Sequence, residues 1–423
     1  MKVLLIGGGG REHALGWKIA QSPVLSTLYL APGSPGLKPL GVTLPIGAED
    51  IDGIVAAAAA HEVDLVVVGP EAPLAAGLTD RLTEAGIACF GPTAAAAQLE
   101  ASKAFMKEVC VAAGAPTAAY GRFRRIEEAK KFLRTQQPPY VVKADGLAAG
   151  KGVVIAGDLA EADASVEDFL GGRFGAASEE IVIEEYMHGE EASFFAICDG
   201  ERALPLIAAQ DHKRAFDGDK GPNTGGMGAY SPAPVFTDAI REATITRLIE
   251  PVLAEMARRG TPYRGVLYAG LMIGENGPRL VEFNARFGDP ECQVLMRRLK
   301  SDLLPVLYAA ARGDLAGRSL DWSNDAAALV VLAANGYPGA YSKGSAIRGV
   351  EQAEKIPGVV VFHAGTDEIG GEIVANGGRV LNVTATAATI KEAVARAYEA
   401  VDIIDWPEGF CRRDIGWRAL ERA

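Results

Sequence analysis

Residues 280–287 alternate apolar and polar side chains until Gly288 interrupts the pattern. In a β-strand, this period of two places Glu282, Asn284 and Arg286 on one face. The opposite face is apolar and comprises Phe283, Ala285 and Phe287. The pattern therefore predicts a strand with one buried side and with a carboxylate, an amide and a guanidinium directed into one cleft. The alternative is a surface hairpin with a solvated polar face.

The N-terminal part of the chain begins with a strand, a glycine turn and a helix. Residues 2–6 form an apolar run, glycines occupy residues 7–10, and residues 11–21 carry apolar side chains at helical spacing. Residues 63–68 are almost continuously apolar, which is typical of a strand covered by helices on both faces. These elements predict a Rossmann-like parallel sheet.

A glycine-rich segment at residues 146–152 lies between two predicted strands, Tyr140–Ala144 and Val153–Ala156. A Walker-type P-loop requires a helix and a Ser or Thr after its lysine, whereas Gly152 and a strand follow Lys151. We therefore expect a flap of backbone that closes over phosphate groups.

The remaining periodic segments predict a mixture of strands and helices. Residues 216–234 lack a clear period and contain many glycines, which indicates a long and functional or disordered loop. Strands are predicted at residues 181–187, 265–273, 329–333, 359–362 and 380–384, and helices at residues 102–113, 237–259, 290–312 and 389–401.

A chain of 423 residues exceeds one compact core, and its length suggests roughly two to four domains. The predicted class is α/β and α+β multidomain. We expect an N-terminal Rossmann-like domain at residues 1–100 and a central domain at residues 101–325, with a mobile lid subdomain at about residues 117–187. A small mixed α+β domain is expected at residues 326–423.

Composition excludes some classes of partner. A net charge of −12 disfavours nucleic acid and anionic membrane as binding partners. The five cysteines are scattered and odd in number, which fits a reducing cytosol better than a disulfide framework. No apolar stretch is long enough to span a bilayer. We therefore expect a cytoplasmic protein, and the sequence gives no sign of an obligate protein partner.

The polar positions indicate phosphoryl chemistry. Glu282 and Asn284 offer the hard oxygen donors that Mg²⁺ prefers, and Arg286 can bind a carboxylate or a phosphate through two hydrogen bonds.

Glu71 follows the buried strand at residues 63–68, where ligands of parallel sheets bind, although it could equally be a plain loop carboxylate. An NAD site is not favoured, because Glu12 replaces the third glycine of the dinucleotide fingerprint.

Four sequence strings occur in an order that resembles one enzyme superfamily. They are residues 7–14 (GGGGREHA), 143–152 (KADGLAAGKG), 223–229 (NTGGMGA) and 286–291 (RFGDPE). Together with the Glu-x-Asn strand, they resemble the ATP-grasp superfamily and, within it, the glycinamide ribonucleotide synthetase family over essentially the whole chain. The resemblance implies two α+β subdomains that hold ATP between them.

The resemblance also implies a nucleotide site. Lys103 and Lys143 would contact the ATP phosphates, and Glu184 would meet the adenine amino group. Glu191 would accept hydrogen bonds from the ribose hydroxyls, which suits a carboxylate. Further nucleotide contacts would come from the flap and from the segment after Glu184, which together comprise Gly150, Lys151, Gly152, Glu185, Tyr186 and Met187.

The implied activity is an ATP-dependent ligation of glycine to 5-phosphoribosylamine through glycyl phosphate, the second step of purine synthesis. Glu282 and Asn284 would hold Mg²⁺ or Mn²⁺, in a shell that lacks the acidic ligand many relatives carry on the preceding strand. Arg286, Asp289 and Lys143 are the expected catalytic residues. The expected substrate contacts, with the ribosyl phosphate on the glycine turn, are Gly9, Gly10, Glu12, His13, Glu71, Asn223, Asp289 and Lys343.

Three other functions are compatible with parts of the pattern. An ATP-grasp ligase that uses formate or bicarbonate would share the nucleotide residues but should lack the strings at residues 223–228 and 286–291. A dehydrogenase rests only on the glycine turn. A non-catalytic nucleotide-binding module predicts ATP binding without glycine-dependent release of ADP. His13 could also be a packing or helix-capping residue.

Overall fold

The computed structural model describes residues 1–148 and 152–422. The N-terminal segment forms a five-stranded parallel sheet, as the apolar runs predict. In spatial order its strands are Val42–Thr43, Thr27–Pro32, Lys2–Gly7, Leu65–Val68 and Ala88–Phe90. The helices of this segment are Gly10–Ile19, Ile51–Ala60, Glu71–Ala75, Leu78–Glu84 and Ala94–Ala101. A short 3₁₀ turn spans Lys38–Leu40.

The helix Lys103–Ala113 connects this sheet to a four-stranded antiparallel sheet, here called the lid sheet. Its strands, in spatial order, are Tyr120–Phe123, Ile181–Glu185, Tyr140–Ala144 and Val153–Ala156. The helices Ile126–Leu133 and Leu159–Leu170 pack on it and share a separate core that includes Val142 and Phe169. A subdomain with its own core can move as a unit relative to the rest of a protein.

The central sheet is also antiparallel and carries the alternating segment described above. Its strands, in spatial order, are Ala203–Pro205, Glu190–Asp199, Arg264–Gly274 and Gly277–Asn284. Both faces of this sheet are buried, since Phe195 belongs to one core cluster and Phe194 to another. The helices Asp238–Thr244, Glu250–Arg258, Glu291–Arg298 and Leu304–Arg312 surround it, with a π-helical turn at Ile245–Ile249.

The C-terminal sheet draws strands from two distant parts of the chain. Its main path runs through Gln210–Asp211, Gly228–Ser231, Ala326–Ala334, Arg379–Ala387 and Val359–His363, and Gly409–Phe410 pairs with its central strand. The associated helices are Val350–Ala353, Ile390–Val401 and Trp417–Glu421. Two separate hairpins are formed by Arg214–Phe216 with Lys220–Asn223 and by Thr366–Ile369 with Glu372–Ala375.

Two predicted elements are wrong in detail. The expected loop at residues 216–234 contains the strands Lys220–Asn223 and Gly228–Ser231, because the second pairs with the distant strand Ala326–Ala334. The expected helix at residues 290–312 breaks into two helices. Leu299 adopts an extended conformation there, and the side chain of Asp302 accepts a hydrogen bond from the N–H of Leu304 and starts the second helix.

Substitution of Phe195 tests how much the packing of the central sheet contributes to the free energy of unfolding. Its ring lies 4.7 Å from that of Tyr268 and 6.5 Å from that of Phe287, between ring centroids. We expect Phe195→Ala to lower the free energy of unfolding by about 3–5 kcal/mol, because it leaves a cavity. Phe216, which is 50% exposed, is the control, and Phe216→Ala should cost about 1 kcal/mol or less. Urea denaturation followed by tryptophan fluorescence would measure both, and equal losses would contradict the expectation.

Candidate functional site

A cavity of about 550 Å³ lies where the four sheets meet. The polar face of the alternating segment lines it, since Glu282, Asn284 and Arg286 all contribute side chains. Phe283, Ala285 and Phe287 are each 2% exposed, but the strand ends at Asn284 and is shorter than the predicted alternation. Phe283 and Ala285 pack in the core that contains Phe194, whereas Phe287 packs in the core that contains Phe195, on the other side of the sheet. The burial of Phe283 therefore fixes the side of the strand that carries Glu282 and Asn284.

Two lysines and a glutamate form a buried ion cluster at the lid side of the cavity. Lys143 Nζ lies 2.8 Å from Glu184 Oε2, and Lys107 Nζ lies 3.0 Å from Glu184 Oε1. Burial alone would raise the pKa of Glu184, but the two ammonium groups hold it below its ordinary value. Glu184 lines the cavity, yet both of its oxygens already face lysines. The contact of Glu184 with the adenine amino group stays a prediction, since a carboxylate oxygen can accept more than one hydrogen bond.

Lys103 reaches the same cavity from the start of its helix. The carboxylate of Asp145, just after a lid strand, accepts a hydrogen bond of 2.6 Å from the N–H of Ala104, and Ser102 caps the same helix. These contacts fix the helix N-terminus against the lid sheet. Burial lowers the pKa of Lys103, although the carboxylate of Glu282 opposes that shift.

The segment after Glu184 continues along the cavity wall. Glu185, Tyr186 and Met187 line the cavity, as does Glu191. The N–H of Glu185 donates to the carbonyl of Ala119, and the side chain of Glu185 binds Arg279. The backbone N–H of Glu185 and its carboxylate are therefore already bonded to other residues of the protein.

The turn that leads to Glu191 requires glycine. Gly189 has a φ of +150°, and a Cβ atom there would lie 2.4 Å from the carbonyl oxygen of Ile273. Glu191 Oε2 then lies 3.6 Å from Lys213 Nζ. Burial alone would lower the pKa of Lys213, but the nearby carboxylates of Asp211 and Glu191 raise it well above its ordinary value.

A divalent metal would find only part of a coordination shell in the protein. Glu282 and Asn284 supply oxygen donors on the cavity wall, and Asn284 is 8% exposed. Within residues 1–148 and 152–422, no group of three or more Asp, Glu, His or Cys side chains is arranged to hold a metal. The donor set suits Mg²⁺ or Mn²⁺ when nucleotide phosphates and water complete the shell.

Arg286 is held between two carboxylates at the other end of the cavity. Its Nε lies 3.2 Å from Glu71 Oε2, and its second terminal nitrogen lies 3.2 Å from Glu100 Oε1. Burial opposes ionisation of Glu71, but Arg286 and Arg11 lower its pKa below the ordinary value. Burial raises the pKa of Glu100 despite the same arginine. The guanidinium is thus held in one orientation and remains charged.

Asp289 lies beside this group and faces two further cations. Its carboxylate lies 3.4 Å from Arg379 and accepts a hydrogen bond of 2.8 Å from Gln293. Burial would raise the pKa of Asp289, but Arg379 and Arg11 hold it below its ordinary value. Asn223, from the sequence string at residues 223–229, also lines the cavity.

Several expected substrate residues do not line the cavity. Gly9 donates its N–H to Glu12 Oε2 at 2.7 Å, and Glu12 also pairs with Arg11, so this carboxylate fills the glycine turn. Gly10 packs against the side chain of Asn382. Gly9 nevertheless lies near the cavity, because a Cβ atom there would be 3.8 Å from the side-chain oxygen Oδ2 of Asp289, which lines it.

His13 and Lys343 also lie away from the cavity. His13 is 7% exposed, and its Nδ1 accepts a hydrogen bond of 2.8 Å from the N–H of His363. Burial lowers the pKa of His13 to about 3, which is the behaviour of a packing residue. Lys343 is exposed in a loop of the C-terminal segment. Of the flap residues, Gly152 lines the cavity, and Gly150 and Lys151 lie outside the described part of the chain.

Sequence reasoning missed some charged residues of the site. The most informative are Lys107 in the buried ion cluster, Lys213, and the two arginines Arg11 and Arg379 near Asp289. Arg11 lay inside a recognised string and could have been proposed. Arg379 comes from a C-terminal strand and binds the carbonyl of Asp289 at 2.6 Å, a contact with no local sequence signal.

The whole chain is similar to proteins of one known family. Profiles of phosphoribosylglycinamide synthetase match residues 1–100 (N domain), 101–292 (ATP-grasp domain) and 327–418 (C domain). Phosphoribosylamine–glycine ligase from Brucella melitensis is 59% identical, across 100% of this chain and 99% of that relative. The protein of the same name from Escherichia coli K12 is 52% identical, with the same coverage of both chains.

Two solved structures share the fold of this chain. The crystal structure of phosphoribosylamine–glycine ligase from Thermotoga maritima has a TM-score of 0.85 and 33% identity, covering 98% of this chain and 100% of that chain. Biotin carboxylase from Campylobacter jejuni has a TM-score of 0.76 at 18% identity, covering 99% and 95%, and shares the fold. Among the described residues, no helix is long and apolar enough to cross a membrane. The match of all three domain profiles and the full-length relatives show that the chain belongs to the phosphoribosylglycinamide synthetase family of ATP-grasp ligases.

Proposed function

We propose that this protein joins glycine to 5-phospho-D-ribosylamine at the expense of ATP and releases glycinamide ribonucleotide, ADP and phosphate. This is the second step of de novo purine synthesis. The observation that carries the proposal is the single cavity that brings Lys143 and Glu184 of the lid together with Glu282, Asn284 and Arg286. The names of the full-length relatives support the choice of substrates.

The chemistry explains why the site needs charge more than an acid or a base. A free carboxylate has no acceptable leaving group, so the glycine carboxylate first attacks the γ-phosphorus of ATP, the bond to the β,γ-bridging oxygen breaks, ADP leaves and glycyl phosphate forms. The amine of phosphoribosylamine then attacks the acyl carbon, and inorganic phosphate leaves. Catalysis of phosphoryl transfer relies on positioning and on positive charge around the moving group.

The described residues divide between the two ends of the cavity. Lys103 and Lys143 would bind the nucleotide phosphates, while Tyr186, Met187 and Glu191 would line the adenosine. Glu282 and Asn284 would hold Mg²⁺ or Mn²⁺, which when bound offsets the charge of the phosphate oxygens. Arg286 would orient the glycyl carboxylate or the transferred phosphoryl group, because Glu71 and Glu100 fix its guanidinium.

The phosphoribosylamine would lie beyond Arg286. We place its phosphate near Arg11 and Arg379, which line the cavity, rather than on the glycine turn. Asp289 and Asn223 would meet its hydroxyl groups or amine.

The decisive experiment measures ADP formation by the purified protein with Mg-ATP, adding glycine and fresh phosphoribosylamine separately and together. We expect turnover that requires both substrates and is reduced by about a hundredfold or more in Glu282→Ala. Glu275→Ala is the matched control, because Glu275 is an exposed carboxylate in the turn of the same hairpin. Turnover with formate or bicarbonate in place of glycine would retain the fold and reject the proposed substrates.

Arg286→Lys tests the role of the guanidinium. The substitution retains positive charge but loses the bidentate geometry held by Glu71 and Glu100. We expect kcat to fall by about tenfold to a hundredfold, with less than about a threefold change in KM for ATP. Arg318→Lys, at an exposed position, should leave both constants within about twofold. An unchanged kcat in Arg286→Lys would remove this residue from the catalytic set.

The pH dependence of ATP binding tests Lys103. Its pKa lies below the ordinary value of 10.5, so its ammonium loses its proton earlier than a free lysine as pH rises. We expect KM for ATP to rise on the alkaline side, and Lys103→Arg to move that rise to higher pH because arginine stays protonated. Steady-state kinetics between neutral pH and pH 10 would show it. If KM for ATP rises over the same pH range in Lys103→Arg, a group other than Lys103 causes the rise.

A further inference from the structure

Lys107 is a buried cation with no assigned role and lies one helical turn beyond Lys103. Its side chain is 0% exposed, so it does not touch a ligand in the cavity. Its ammonium donates to Thr117 Oγ1 at 2.8 Å and to the carbonyl of Ala118 at 3.3 Å, and it forms an ion pair with Glu184 Oε1 at 3.0 Å. A lysine is rarely buried to this extent unless it is paired.

These acceptors lie on the two connections between the lid subdomain and the rest of the molecule. Thr117 and Ala118 belong to the incoming segment, and Thr117 Oγ1 also donates to the carbonyl of Leu280 at 2.8 Å. Glu184 lies near the end of the outgoing lid strand Ile181–Glu185. Lys107 itself lies on the helix Lys103–Ala113. Its ammonium therefore links a helix outside the lid to both lid connections.

The charges of Lys107, Lys143 and Glu184 affect how ATP would bind in the cavity. Lys143 faces Glu184 Oε2 at 2.8 Å, so one carboxylate is shared by two ammonium groups and the cluster carries a net positive charge. Without Lys107, Lys143 and Glu184 would form a neutral pair, and the carboxylate would be less well compensated in a buried site. Lys143 would then be less available to an anionic phosphate.

We propose that Lys107 is a positioning residue for the nucleotide, which holds Glu184 at the lid connections and thereby presents Lys143 to the ATP phosphates. The proposal rests on the proposed function, since it assumes that ATP binds between Lys143 and Glu282. It assigns no contact between Lys107 and substrate. Its effect on ATP passes entirely through Glu184.

Equilibrium ATP binding and steady-state kinetics of Lys107→Met test the proposal. We expect the Kd and KM for ATP to rise by about tenfold or more, with kcat and KM for glycine within about threefold. Lys107→Arg, which keeps the charge, should recover most of the ATP affinity. Lys18→Met is the matched control, because Lys18 is a buried lysine that donates to the carbonyl of Leu299 at 2.6 Å, outside the cavity. It should leave the Kd for ATP unchanged.

A double-mutant cycle with Glu184→Gln tests whether Lys107 acts through Glu184. Adding Lys107→Met to Glu184→Gln should raise the Kd for ATP by less than about threefold further, because the two side chains act as one unit. Independent, multiplying effects would overturn the proposal, as would a folded Lys107→Met with native ATP affinity or with ATP and glycine constants that rise together. Lys107→Gln is the second neutral variant. If both neutral variants fail to fold while Lys18→Met folds, Lys107 is structural only and the proposal is wrong.

The same measurements separate this proposal from the function on which it rests. A native protein that binds no ATP would reject the proposed function itself. A native protein that binds ATP and turns over both substrates, with Lys107→Met indistinguishable from it, would reject only the role of Lys107.

Discussion

The site depends on the burial of one apolar strand face. Phe283 and Ala285 are each 2% exposed and pack in the core on one side of the central sheet. Glu282 and Asn284 alternate with them and line the cavity from the other side of the strand. The strand ends at Asn284, so Arg286 enters the cavity from the segment that follows it, while Phe287 packs with Phe195. A slip of one residue would exchange the polar and apolar sides of the strand. Packing of the central sheet and presentation of the polar residues are thus the same event.

An acidic protein must still bind a highly anionic nucleotide, and the arrangement of charge in the cavity shows how. The chain carries a net charge of −12, yet the lysines and arginines that line the cavity come from the N-terminal, lid, central and C-terminal parts of the chain. Each of the most buried cations is oriented by a carboxylate of the protein, as with Lys143 at Glu184 and Arg286 at Glu71. Preorganised charges of this kind need little rearrangement when phosphate binds, which favours phosphoryl transfer.

The lid sheet differs from the other sheets in how it is packed. The lid sheet has its own core, whereas the central and C-terminal sheets share cores with the N-terminal sheet. Movement of the lid would change the relation of Lys143 to Glu282 while leaving Glu282 and Arg286 fixed relative to each other. The contacts of Lys107 and Arg279 at the lid connections are where such a movement would be resisted.

Local sequence was sufficient to predict elements whose signal lies within a short segment. The strand–turn–helix at the N-terminus, the strands around residues 146–152 and the strand that ends at Asn284 follow from periodicity and from glycine. The recognised strings indicated the family and several of the residues that line the cavity. The phosphate site on the glycine turn stays a prediction, and in the structure the N–H of Gly9 donates to the side chain of Glu12.

What the sequence alone determined is the set of elements, the family and the chemical character of the site, because these depend on side-chain period and on ordered motifs. Only the tertiary structure decided which charges meet. Arg379 reaches Asp289, Lys107 reaches Glu184, and residues 228–231 join a strand that begins at Ala326. These pairings join residues that are about 80 to 100 positions apart, and contacts between distant buried charges produce no periodic pattern in the chain.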